Sequence, residues 1–234
     1  MPTVVVDSST IISCAANCIL WMFDELKAKG FKFIVPKGVE GEIISSGLKT
    51  LKYKYEAIRV MHHFVNKTFV KYDKDLRQKA GELLKYANSS FRIKNQYLKV
   101  LQEADAEVAA LAKEINADFI LTDERTLRLF FENPGSLEKL YEHRFHTNVQ
   151  PDRNNLARLK QLIGDTPVFR SVDLAAYAID GGIFNLSISN ASKYDNESRK
   201  HVIEGVLYAL RFGGCGVSFE EIGEYVNLLL KAKK

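Results

Sequence analysis

The sequence predicts an α/β fold: a parallel sheet flanked by helices, followed by a mainly helical C-terminal region. Three observations carry this. Three short apolar runs, at residues 3–6, 31–35 and 119–121, are each bounded by polar or turn residues and have the length of buried strands. They alternate with helix-patterned stretches, an order that implies parallel strands joined by crossovers. After about residue 148 the chain changes to short helical stretches and turns, with no strand-like run of comparable strength.

In order along the chain, Thr3-Val4-Val5-Val6 is β-branched and ends at Asp7-Ser8-Ser9. A helix is expected through Ile19, Leu20, Met22, Phe23 and Leu26, stopping near Gly30. The second strand, residues 31–35, is stopped by Pro36, and a short helix follows over residues 39–44. Residues 47–100 contain no proline and, after Gly47, one glycine, so long amphipathic helices are expected there. Residues 103–115 are rich in alanine and leucine and read as a helix. Asn133-Pro134-Gly135 is a turn. Ser218-Phe219-Glu220-Glu221 has the form of a capping box before a last helix over residues 222–230. Gly213-Gly214-Cys215-Gly216 has no strand before it and no Lys-Ser/Thr after it, so it reads as a loop between helices and not as a phosphate cradle. The expected division is a domain of residues 1–148, containing the basic segment 47–100, and a region of residues 149–234.

No apolar run approaches the roughly 18–20 residues needed to span a bilayer. With three cysteines, Cys14, Cys18 and Cys215, and no second pair to complete a zinc site, the chain reads as cytoplasmic. His62 and His63 are adjacent and point apart; His143 and His146 lack further ligands and read as surface residues. The net charge is +4, but residues 47–100 alone hold 13 Lys/Arg against 4 Asp/Glu, or +9, leaving −5 for the rest. Such a basic region attracts phosphate polymers. Lys49, Lys52, Lys54, Arg59, Lys71, Arg77, Arg92 and Lys94 are its candidate nucleic-acid contacts. Tyr53, Tyr55, Tyr72, Tyr86, Phe91 and Tyr97 lie among them, able to stack bases and equally able to be core.

Acids stand where an open sheet would use them. Asp7 and Asp123 each follow a strand at its carboxyl end, the side on which such sheets bind ligands. Each could instead be an ordinary cap or turn residue. Asp105 is more pointed. At about 100° per residue, Val108, Ala109 and Ala112 lie within about 60° of it, so the carboxylate falls in the apolar stripe. Glu103, Glu107 and Glu114 fall on the opposite face. A buried carboxylate is costly unless paired or metal-bound, although the first helical turn also favours acids. Glu42 merely flanks a short apolar stripe. Four converging acids would suit a hard divalent cation, Mg²⁺ or Mn²⁺, which prefers oxygen ligands.

Three stretches, VVVDSST, VPKGVEGEI and EADAEVAALAKEINADFILTDE, resemble the PIN-domain nucleases over about residues 1–132. The resemblance implies that Asp7, Glu42, Asp105 and Asp123 hold one or two Mg²⁺ or Mn²⁺ ions and are the catalytic set. Ser8, Ser9 and Thr122 would orient the first acid or a bound water. Glu124 is the one further acid after the third strand, and adjacent side chains usually diverge. The resemblance also implies cleavage of RNA, a homodimer, and an antitoxin-like or RNA-processing protein partner. Two other classes stay open: a PIN fold kept as an RNA-binding scaffold, and a flap-type DNA nuclease.

Overall fold

The fold is described from a computed structural model that gives residues 1–193, 195 and 197–232. The first strand, β1 (Thr3–Val6), leads into α1 (Ser8–Ala16) and α2 (Trp21–Ala28). The single helix expected up to Gly30 is thus two. Cys18 adopts a left-handed φ of 58°, which breaks the helical ladder between them. β2 (Lys32–Pro36) follows, then α3 (Lys37–Glu40), a π-helical turn over Gly41–Ser46, α4 (Gly47–Lys49) and a 3₁₀ turn over Leu51–Tyr53. π turns are rare and frequently sit at functional sites.

Residues 54–100 depart from the long helices expected. α5 (Lys54–Val65) and α6 (Arg77–Ala87) are separated by β3 (Phe69–Tyr72). A hairpin of β4 (Phe91–Ile93) and β5 (Gln96–Tyr97) then turns through Lys94, at φ 54°. β3 is an edge strand, so Phe69 is buried while Val70 stays exposed, and no apolar run of the kind seen in β1 marks it.

α7 (Glu103–Glu114) and β6 (Phe119–Leu121) appear as expected. Beyond them lie α8 (Arg125–Glu132), α9 (Ser136–Phe145), β7 (Gln150–Pro151), α10 (Arg153–Ile163) and β8 (Val168–Phe169). The chain closes with α11 (Ser171–Asp180), α12 (Asn185–Ala191), α13 (Ser198–Phe212) and α14 (Phe219–Lys231). The Ser218 hydroxyl accepts from the Glu221 N–H and the Glu221 carboxylate from the Ser218 N–H, the reciprocal cap that the sequence announces.

Five strands form one parallel sheet in the order β3-β2-β1-β6-β8. β1 is central, with Val4, Val5 and Val6 fully buried, and α7 packs across β1, β2 and β6. Such a strand, covered on both faces, must be a continuous apolar run rather than an alternating one. β8 pairs Val168 with Ile120 and Phe169 with Leu121, so the sheet runs across the position near 148 where composition changes. The later segment is mainly helical but supplies the fifth strand, and one continuous core joins both parts. Among the described residues no helix is long and apolar enough to cross a membrane.

Candidate active site

The carboxyl ends of the two central strands meet. Asp7 ends β1 and donates its N–H to the Leu121 carbonyl at 2.9 Å, one rung past the strand. Its Oδ2 accepts from the Ser9 hydroxyl at 2.5 Å, the Thr122 hydroxyl at 2.8 Å and the Ser9 N–H at 3.4 Å. The same hydroxyls reach on: Ser9 Oγ accepts the Asp123 N–H at 3.0 Å, and Thr122 Oγ1 accepts the Glu124 N–H at 3.1 Å. Asp7 therefore caps α1 and ties both strand ends together through one oxygen. Its Oδ1 has no hydrogen bond among the described residues. Ser8, the first residue of α1, makes no side-chain hydrogen bond in this network.

Asp105 enters from the start of α7, 8% exposed, as its place in the apolar stripe predicts. Its Oδ2 accepts the Gln102 N–H at 2.8 Å, so it also caps its own helix. Glu107 is not on a solvent face; half-buried, it accepts the Gly38 N–H at the start of α3 at 2.6 Å. A Cβ at Gly38 would stand 2.7 Å from that carboxylate, which explains a glycine there.

The adjacent acids Asp123 and Glu124 diverge. Asp123, 5% exposed, turns toward α11: Oδ1 accepts the Ser171 N–H and Oδ2 the Ser171 hydroxyl, both at 2.7 Å. Burial raises its pKa, and these two bonds pull it back. Glu124 instead faces Asp105. Glu124 is exposed as a residue, yet partial burial of its carboxyl, then the charges of Asp105 and Asp7, a hydrogen bond to Asp105 and the charge of Glu42, push it up to about 7. Burial likewise pushes Asp105 up to about 6, with Asp7 and Glu42 adding to it against the Gln102 and Glu124 hydrogen bonds. The two carboxyls act on one another, so the apparent values belong to the pair. Glu42, on the exposed side of the π turn, is close enough to be felt by both.

The acids that come together are Asp7, Glu42, Asp105 and Glu124. Glu124 is the one the sequence reading left aside; Asp123 is held by Ser171 on the other side of the turn. Tyr141, from α9, closes the wall. Burial pushes its phenol up to about 12, and the Glu124 and Asp105 charges add to this.

The donor chemistry, carboxylate oxygens alone with unneutralised charge, fits a hard divalent cation. The present positions do not close around one: among the described residues no three His, Cys, Asp or Glu side chains converge as a ready-made metal cage. The Asp105–Glu124 contact would have to open.

The basic segment divides in two. Lys71 pairs with Glu40 at 2.8 Å, Arg77 with Asp75 at 2.6 Å, and Lys79 with Glu114. Arg59 donates to the Ala15 carbonyl at 3.0 Å and Arg92 lies 4.6 Å over the Tyr97 ring. Lys49, Lys52, Lys54 and Lys94 are exposed and make no ion pair among the described residues. The first three lie within six residues of one another in the chain, next to exposed Leu51, Tyr53 and Tyr55.

A family model described as PIN domain matches residues 3–135, more than half of the chain. The chain belongs to the PIN-domain family. PIN domains are generally nucleases and typically use divalent metals, and the sheet with acids at its carboxyl end is a fold of that nuclease type. No curated protein matches the chain, and no solved structure does.

Proposed function

We propose that this PIN-domain protein is a metal-dependent endoribonuclease, hydrolysing phosphodiester bonds of RNA with Mg²⁺ or Mn²⁺. The observation that carries the reading is the gathering of Asp105 and Glu124, both pushed up by burial first, with Asp7 and Glu42 at the carboxyl end of the sheet, the Asp7 and Glu42 charges raising both further. Carboxylates that raise one another cost stability unless a cation neutralises them, so the cluster has a purpose other than folding. Asp7, Glu42, Asp105 and Glu124 would hold the ion. Bound, it would activate a water and stabilise charge on the phosphate.

The chain's own contribution is orientation. Ser9 and Thr122 occupy one oxygen of Asp7 and leave Oδ1 without a hydrogen bond among the described residues. The Gln102 N–H holds one oxygen of Asp105. The raised carboxyls of Asp105 and Glu124 must be deprotonated to bind a cation, so affinity should rise with pH through about 6–7. Lys49, Lys52 and Lys54, exposed, would hold backbone phosphates, and exposed Tyr53, which lines one cavity with Glu42, and Tyr55 would offer faces for unpaired bases. RNA is favoured over branched DNA because stacking faces beside a lysine track suit single strands.

The test is incubation of the pure protein with labelled single-stranded RNA and DNA in Mn²⁺, Mg²⁺ or chelator. RNA cleavage that the chelator stops is expected. No metal-dependent cleavage of either strand would sink the enzymatic reading, and preference for branched DNA would replace the RNA one.

A further inference from the structure

The family match ends at residue 135, yet residues 168–217 touch the turn that carries Glu124. Thr122 donates its N–H to the Phe169 carbonyl at 2.9 Å, one rung beyond the β6–β8 pairing. Two residues on, Ser171 takes both oxygens of Asp123 with its N–H and its hydroxyl. Cys215 is buried and its thiol pushed up to about 12, by burial first and by the Asp123 charge second, so it packs beside the same carboxylate. The next residue, Gly216, approaches the turn itself: a Cβ there would stand 3.5 Å from the Asp123 carbonyl oxygen. Arg170 and Arg128 both donate to the Gly216 carbonyl, at 3.2 and 3.4 Å, and Arg170 is fixed by Asp173 and by Glu221 at 2.8 Å. Residues 122–124 are therefore held along one side by β8, at the centre by Ser171, and from above by residues 215–216.

We infer that Ser171 is a positioning residue for the acid cluster: by holding Asp123 it turns that carboxylate out of the site and aims Glu124 at Asp105, which makes the C-terminal segment part of the active site. The argument rests on the metal-nuclease reading above and deepens it. The alternative within the same geometry is that Asp123 is itself a metal ligand, resting on Ser171 until an ion arrives. The two differ in what the carboxylate must be. A positioning carboxylate can be replaced by an amide, since asparagine accepts from the Ser171 N–H and donates to its hydroxyl. A metal ligand cannot.

The test is Mn²⁺ affinity, read by electron paramagnetic resonance of free Mn²⁺, on the full chain and its variants, with circular dichroism as the check on folding. Ser171→Ala and Asp123→Ala should each weaken binding about tenfold, the size usual for groups that orient metal ligands. Ser171→Thr and Asp123→Asn should recover most of that loss. The double alanine variant should be no weaker than either single one, because both remove the same contact. Wild-type affinity in Ser171→Ala, or loss in Asp123→Asn as complete as in Asp123→Ala, would overturn the inference. Should Ser171→Ala not fold, the Asp123 pair decides alone. If the wild type binds no Mn²⁺, the metal-nuclease reading falls and takes this inference with it; binding by the wild type with no change in Ser171→Ala removes this inference alone.

Discussion

The acidic end of the sheet and the basic segment 47–100 both concentrate one sign of charge, but the fold treats them differently. In the basic segment the excess is visible in the sequence, and folding dissipates part of it: Lys71, Arg77 and Lys79 find carboxylates nearby. At the acidic end the residues lie far apart in the chain, and among the described residues Asp7, Glu42, Asp105 and Glu124 form no ion pair. Asp105 and Glu124 are pushed toward neutrality instead. Local charge excess is a surface property that pairing can erase. Charge convergence against the direction of stability marks a site.

The largest effect expected from breaking that convergence is in Asp105→Asn. Cleavage and Mn²⁺ binding should fall by more than the roughly 100-fold reached on losing a supporting partner of a ligand. The metal-free protein should meanwhile unfold at a higher temperature near pH 8, because one buried repulsive charge is gone. An unchanged cleavage rate would remove Asp105 from the site.

Glu124→Gln against Asp123→Asn sharpens the comparison within a single turn. The first should cost cleavage nearly as much as Asp105→Asn, the second several-fold at most, measured as kcat on one RNA. Equal losses would restore Asp123 to the cluster.

The pH dependence of the metal-free protein has a definite sign. The folded pKa values of Asp105 and Glu124 are raised, so between about pH 4 and 7 the native state binds protons that the unfolded chain has released. Stability from this pair is therefore greatest below about pH 4–5 and is lost as pH rises through 6–7. Other groups being equal, the melting temperature should drop by a few degrees between pH 5 and 8. Saturating Mn²⁺ should flatten or reverse the trend. Melting curves at three pH values with and without chelator decide it; a rise with pH in chelator would contradict the raised pKa values of the pair.

The smallest effect concerns the lysines. Lys49, Lys52 and Lys54 changed together to alanine should weaken RNA binding and flatten its salt dependence by roughly 0.7 per lysine engaged in the logarithmic slope. Lys71, Arg77 and Lys79, already paired, should change it less. Equal slopes for both sets would mean the strand runs elsewhere.

Much of this was legible beforehand. β1, β2, β6 and α7 follow from apolar runs and helical periodicity, because elements at the centre of a doubly covered sheet must be apolar throughout. Asp105 was legible as well, since a charge in an apolar stripe stands out against its neighbours. β3 and β8 were not. Edge strands of four and two residues need to be only partly buried, and their ladder bonds come from neighbours distant in the chain. The resemblance pointed to Glu42, and its place at a π turn beside the other acids is a fact of packing alone.

By itself the sequence determined which residues are buried at the centre, where the acids stand along the chain and that one segment is basic, all properties of local pattern. Only the tertiary structure decided which of two neighbouring acids joins the cluster. Asp123 and Glu124 have the same chemistry and adjoining positions; Ser171, 48 residues further on, donates to both oxygens of one, and the other faces Asp105. A choice made by a contact that distant leaves no trace in the local pattern from which a sequence is read.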